Sequence, residues 1–192
     1  MVFIDSLEKA IIPITTQKAR GGKRSSGSSY YADSYPQYWN FIFYDLKSGK
    51  TKLLTNQKSR FSDFRTNLKK TGSVLQKSVL YEIANSDYDQ DNKLTYSDPK
   101  QLFISDIDGE NLRRISPKNE NLIEYQIVPN SDKIIFQTQK DANDDKEFDK
   151  KDELIWYMID LSNDSLPLEV LNKVERKEIE NLYFQQWLVK DN

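Results

Sequence analysis

The chain has 192 residues, which suits one domain with a sizeable core. Only 37% of the residues are hydrophobic and 30% are charged, and no apolar run approaches a membrane span in length. There is no Cys and no His, so disulfides, thiol chemistry, Cys-bound zinc, Ser-His-Asp catalysis and imidazole metal sites are all excluded.

The formal net charge of −2 hides an uneven distribution. Residues 1–80 hold 14 Lys/Arg and 5 Asp/Glu, whereas residues 81–192 hold 14 and 25. A basic half beside an acidic half favours head-to-tail self-association or balances within one fold. The opening Met1-Val2-Phe3-Ile4-Asp5 is not a signal peptide.

Residues 17–29 mix Arg20, Lys23 and Arg24 with Gly and Ser, which predicts a solvated loop. The same residues are the candidates for a nucleic-acid contact, although nucleic acid is not the expected partner. Residues 30–39 follow with Tyr30, Tyr31, Tyr35, Tyr38 and Trp39. Such a cluster packs a loop onto its own sheet or stacks on a ligand ring. Residues 43–55 then read strand, turn, strand, around Ser48-Gly49.

Residues 79–83 (Val-Leu-Tyr-Glu-Ile) form a short β-rich run, and an acidic loop follows it. That loop is Asp87-x-Asp89-x-Asp91-Asn92-Lys93-Leu94-Thr95-x-x-Asp98. Oxygen side chains fall at positions 1, 3, 5, 9 and 12, close to the spacing of a twelve-residue calcium loop. Calcium takes six to eight oxygen ligands, roughly, so alternate side chains must turn inward as the chain curls round it. The expected ligands are Asp87, Asp89, Asp91, the carbonyl of Lys93, and Asp98, with Leu94 pinning the loop to the core. Position 6 favours a positive φ and is usually Gly; here it is Asn92.

A strand at 101–106, an Asp108-Gly109 turn and a short strand to Ser116 come next. After a strand at 134–138 the acidic pattern returns, 54 residues on, as Asp141-x-Asn143-x-Asp145-Lys146-Glu147-Phe148-Asp149-x-x-Asp152. The expected ligands are Asp141, Asn143, Asp145, the carbonyl of Glu147, and Asp152, with Phe148 as the pin. Both loops end in Asp rather than the longer Glu, which points to modest calcium affinity with magnesium as the competing ion. Another strand at 154–160 and a turn into 168–171 complete this unit.

The two loops therefore sit in equivalent places of a repeat of roughly 54 to 61 residues, with four strands per unit. The expectation is an all-β fold of three four-stranded propeller-like blades, at about 1–56, 60–117 and 121–172. Asp45, Asp106 and Asp160 recur at strand ends, where they serve turns rather than catalysis. Carboxylate-only glycoside hydrolysis is the remaining enzymatic option.

Two segments carry a family resemblance. Leu102-Phe103-Ile104-Ser105-Asp106-Ile107-Asp108-Gly109-Glu110-Asn111-Leu112-Arg113-Arg114-Ile115-Ser116 and Val128-Pro129-Asn130-Ser131-Asp132-Lys133-Ile134-Ile135-Phe136 resemble blades of TolB-like, WD-like β-propellers of the bacterial cell envelope. The likeness covers about half of the chain. It implies the fold and an extracytoplasmic setting (periplasm or cell surface), with Asp-rich insertions between second and third strands; it implies no specific activity. Three blades are fewer than the roughly four that a closed ring needs. A fragment, an incomplete ring and a ring completed by a partner all stay open.

Residues 174–188 change rhythm. Ile179, Leu182, Tyr183 and Gln186 follow helical spacing, with Trp187 beside them. A short amphipathic C-terminal helix is expected, covering an exposed sheet edge. Residues 180–185 also spell Glu-Asn-Leu-Tyr-Phe-Gln, the recognition sequence of a protease used to remove tags. Gln186 follows where Gly or Ser is usual, so chance and a cloning remnant both stay open.

The sequence thus points to a non-catalytic, calcium-stabilised binding or scaffold module. The alternative is a carbohydrate-binding or carbohydrate-active protein using the Tyr-rich segment 30–39. The partner, protein or glycan, is not legible.

Overall fold

A computed structural model describes residues 1–4, 8–15, 38–163 and 165–188. The basic loop at 17–29 lies outside them, as do residues 30–37 of the Tyr-rich segment.

The described chain forms three four-stranded antiparallel sheets in sequence order. Blade 1 contains β1 (Val2–Ile4), β2 (Lys9–Ile14), β3 (Asn40–Asp45) and β4 (Thr51–Leu53). Blade 2 contains β5 (Arg60–Arg65), β6 (Ser78–Ala84), β7 (Gln101–Asp106) and β8 (Arg113–Arg114). Blade 3 contains β9 (Glu120–Ile127), β10 (Lys133–Lys140), β11 (Glu153–Asp160) and β12 (Leu168–Glu169). In each, neighbours in sequence are neighbours in the sheet, so every blade is a simple meander. This is the expected propeller-blade architecture, with the expected run of three.

Side-chain alternation explains how the blades stack. In β6 and β7, Leu80, Leu102 and Ile104 face blade 3, while Val79, Tyr81, Ile83 and Phe103 face blade 1. Both faces are covered, so nearly every residue of these two strands is buried. In blade 3, by contrast, β10 and β11 bury only alternate residues: Ile134, Phe136 and Thr138, and Ile155, Tyr157 and Ile159. That period of two is the mark of a sheet with one covered face.

Two apolar clusters fill the joints. Between blades 1 and 2, Ile11, Phe41 and Phe43 meet Phe61, Val79, Tyr81 and Phe103. Here the rings stack edge-on, with Phe41 and Phe61 centroids 5.1 Å apart. Between blades 2 and 3, Leu75, Leu80 and Leu102 meet Leu122, Ile134, Phe136 and Ile155.

Polar contacts lock the same joints. Lys9 reaches Asp108 at 3.3 Å and Lys52 reaches the Gly109 carbonyl at 3.0 Å, joining blade 1 to the β7–β8 turn. Gly109 has φ +76, and a Cβ there would meet the Phe43 ring at 2.6 Å. Only Gly allows both the turn and this close approach. At the other joint, Asp132 Oδ1 accepts the backbone N–H groups of Val74 (3.0 Å) and Leu75 (2.9 Å).

The repeated strand-end aspartates are turn builders. Asp45 Oδ1 accepts the Ser48 N–H and hydroxyl, Asp160 Oδ1 accepts those of Ser162, and Asp106 Oδ2 accepts from Asn111. These bonds hold the Asp45 and Asp160 carboxyls below the ordinary carboxylate range.

The C-terminal helix is present as α1 (Lys173–Tyr183), continued by a wider turn at Phe184–Leu188. Asn172 caps it by accepting from Val174 and Glu175, while Glu175 returns a bond to the Asn172 N–H. Its attachment differs from the expected one. Arg176 fastens it through Glu153 (3.0 Å), Glu169 (2.5 Å) and the Leu171 carbonyl (2.6 Å). No residue of the helix is buried, and Ile179 and Leu182 remain more than half exposed. The apolar stripe thus does not seal an edge; an ion-pair hub does the anchoring. No described helix is long and apolar enough to cross a membrane.

Candidate metal centre

The first acidic loop links β6 to β7 and the second links β10 to β11, so both join second to third strands of their blades. Neither is flanked by helices. The corresponding connection of blade 1 runs largely outside the described residues.

Each loop is folded by its own carboxylates, and the bonds match position by position. At position 1, Asp87 and Asp141 accept the N–H of position 6, from Asn92 (2.9 Å) and Lys146 (3.0 Å). At position 3, Asp89 and Asn143 accept from Asp91 (3.1 Å) and Asp145 (3.2 Å). At position 5, Asp91 and Asp145 accept from Lys93 (2.8 Å) and Glu147 (3.0 Å). At position 12, Asp98 and Asp152 each accept two N–H groups, from positions 2 and 9. Alternate side chains therefore do turn inward, as the spacing requires.

The backbone confirms the expected strain at position 6. Asn92 has φ +64 and Lys146 has φ +69. Position 4 is left-handed as well, with Gln90 at φ +63 and Asp144 at φ +58. Asn accepts this conformation readily; Lys and Gln do so at a cost. The sequence carried no signal for position 4, since neither Gln nor Asp there announces a positive φ on its own.

In the first loop Asp87, Asp89 and Asp91 each place a carboxylate oxygen within 4.8 Å of the others. The Asp91 N–H pulls the Asp89 carboxyl down, but desolvation and the negative charges of Asp91 and Asp98 hold it above its ordinary value. Mutual repulsion of this kind is what a cation would relieve. Asp98 is buried, and its two oxygens brace the loop against Tyr88 and Thr95. In the second loop Asn143 supplies an amide oxygen where the first has a carboxylate, and its Nδ2 donates to Asp145 at 2.7 Å. The Gln139 side-chain amide also donates to the Asp149 carbonyl.

The two loops touch, which the sequence did not disclose. The Tyr88 hydroxyl, from the first loop, donates to Asp141 Oδ2 of the second at 3.0 Å. The Tyr88 ring lies 5.4 Å from the Phe148 ring, and Lys146 Nζ sits 4.9 Å from its centroid. Burial, with the Asp141 bond, pushes the Tyr88 hydroxyl up to about 12. Desolvation opposes ionisation of Asp141, yet the Tyr88 hydroxyl and the Lys146 amide bring its carboxyl below the usual range. Its other oxygen, Oδ1, is shielded from solvent and has no hydrogen-bond partner among the described residues. The fit to a cation is therefore chemical: in the first loop three carboxylate oxygens converge, and in the second one oxygen of Asp141 is unspent.

Two expectations need correction. Phe148 does not pin its loop into a blade core; it packs on Tyr88 of the other loop. Leu94 is only half-buried and belongs to neither apolar cluster. The physical reason is that the loops lie beyond the strand ends, so Phe148 finds its apolar partner on the other loop rather than in a blade. Of the Tyr-rich segment, Tyr38 packs against Phe41 and Phe64, which is the self-packing outcome. Trp39 is 48% exposed.

No protein-family model matches the chain, and no curated protein matches it. Among solved structures, it is similar to a putative TolB from Agrobacterium tumefaciens, at 13% identity and a TM-score of 0.39. That alignment covers 70% of this chain and 41% of the other. It is also similar to Kuenenia stuttgartiensis hydrazine synthase, at 14% identity and a TM-score of 0.36, covering 79% and 21% respectively. The chain spans less than half the length of either structure.

Proposed function

We propose that the chain is a non-catalytic binding or scaffold module of the bacterial cell envelope, stabilised by calcium in its two acidic loops. The first site uses Asp87, Asp89, Asp91, the Lys93 carbonyl and Asp98. The second uses Asp141, Asn143, Asp145, the Glu147 carbonyl and Asp152. Calcium supplies charge neutralisation and rigidity here, with no bond-making role.

The observation that carries this reading is the recurrence of one carboxylate-folded loop in two blades, with a solvent-shielded, unbonded Asp141 oxygen at the second. Sites ending in Asp fit the weak range of extracellular modules, roughly 10⁻⁴–10⁻³ M. Such sites fill where calcium is abundant, which favours an extracytoplasmic setting. Absence of His and Cys supports the non-catalytic assignment.

Thermal melting with added calcium tests it. At about 10 mM calcium each site gains about 1.4–2.7 kcal/mol if only the folded state binds. Two sites raise the midpoint by roughly 6–20 °C for a domain of this size. Asp87→Ala combined with Asp141→Ala removes the rise. An unchanged parent midpoint at millimolar calcium refutes the assignment.

A further inference from the structure

The backbone bonds of the two acidic loops match position by position, but the side chains at position 2 do not. There the second loop has Ala142, an exposed residue whose N–H donates to Asp152 at 3.0 Å. The first loop has Tyr88, whose N–H makes the equivalent bond to Asp98 at 2.6 Å. A methyl group thus suffices for the loop's own fold at this position, and the larger Tyr88 side chain serves something else.

That side chain reaches the second loop at three places. Its hydroxyl bonds Asp141 Oδ2, its ring packs on Phe148, and the Lys146 ammonium lies over the ring. These partners hold positions 1, 8 and 6 of the second loop. Asp141 Oδ2 also accepts the Lys146 N–H at 3.0 Å, so that oxygen is spent twice, while the shielded Oδ1 is free for a ligand. In its own loop Tyr88 stands between Asp87 and Asp89, whose carboxylate oxygens converge with that of Asp91. One residue therefore sits inside the first ligand set and holds the leading ligand of the second.

We propose that Tyr88 couples the two loops into one unit, so that ordering either loop orders the other and their calcium sites fill cooperatively. The second half of this rests on the calcium assignment made above; the first half does not. Asp87 and Asp89, once engaged with a cation, fix the backbone on both sides of Tyr88. Its hydroxyl then meets Asp141 with less freedom left to lose. Hydrogen bonds that orient a ligating carboxylate contribute about 10–100-fold in metal affinity. Linkage requires the converse, so filling the second loop strengthens the first by the same factor.

Amide NMR of the full chain reads each loop separately. The N–H groups of Asn92 and Lys93 report on the first loop and those of Lys146 and Glu147 on the second, since the loop carboxylates hold them. In chelator, Asp152→Ala releases the Ala142 and Asp149 N–H groups of the second loop. Solvent exchange at Asn92 and Lys93 then rises by about fivefold or more. In a Tyr88→Ala background, which gives the first loop the side chain the second already carries, Asp152→Ala changes it no further. With calcium chloride added, the wild-type loops saturate together along a sigmoidal curve. Asp87→Ala weakens calcium at the second loop by about fivefold or more, although it removes none of that loop's ligands, and Tyr88→Ala abolishes this dependence. Far-UV circular dichroism checks that every variant folds. Calcium filling the two wild-type loops independently overturns cooperative filling and leaves the calcium assignment standing. Calcium shifting neither loop refutes that assignment, and cooperative filling with it. Exchange in the first loop that ignores Asp152→Ala overturns the whole proposal, because the loops are then not one unit.

Discussion

Leu80 and Ile135 occupy the same register position on second strands of consecutive blades, yet only Leu80 is covered. Truncating each to Ala therefore separates burial from everything local. Leu80 is 0% exposed, and its loss leaves a cavity between blades 2 and 3, among Leu102, Ile134 and Phe136. The expected cost is about 2–5 kcal/mol. With a urea slope of about 2 kcal/mol/M, the unfolding midpoint falls by roughly 1–2.5 M. Ile135→Ala removes a similar volume from a half-exposed site and costs about 1 kcal/mol or less. The assay is urea unfolding by tryptophan fluorescence at about 0.5 μM and again at about 100 μM. Dilution leaves the Leu80 cost unchanged. The Ile135 cost stays small at both concentrations. If Ile135→Ala proved as costly as Leu80→Ala under dilution, the face would already be covered within one chain, and the parity argument would fail.

Two further outcomes follow from the polar contacts. Tyr88→Phe keeps the ring on Phe148 but removes the bond to Asp141; combined with Asp141→Asn in a double-mutant cycle, it should show a coupling of about 0.5–1.5 kcal/mol in calcium-free buffer. A coupling of zero would mean that the Tyr88 hydroxyl does not bond to Asp141. Glu120 is buried against the hydroxyls of Thr138 and Tyr157, and burial raises its carboxyl despite both hydrogen bonds. A raised acid contributes stability that is full below the unfolded value of about 4.3 and is lost as pH climbs through the folded one. Glu120→Gln, which cannot ionise, should therefore gain on the wild type in thermal melts as pH rises from about 4 to 7. A gap that stays flat or closes with rising pH would contradict that sign.

Strand positions were legible because their causes are local. The β-branched and aromatic runs at 79–83 and 101–106 lie within β6 and on β7, and the Asp-Gly turn at 108–109 follows from the φ that only Gly takes cheaply. The repeated loop spacing also fixed which oxygens turn inward, since a short chain segment curling on itself has few ways to satisfy its own amides. Other features were decided by packing. The docking of Tyr88 on the second loop links residues 53 apart in the chain, and no periodicity records such a meeting. Phe148 read as a core pin because an apolar side chain says only that it will leave water, not which surface it will find. The helix likewise declared an apolar stripe, but Arg176 and its two glutamates determined how it attaches. Burial of blade 2 on both faces and of blades 1 and 3 on one is the clearest case. All three carry the same kind of apolar pairs, and only the three-dimensional order of the sheets says which of them have a neighbour.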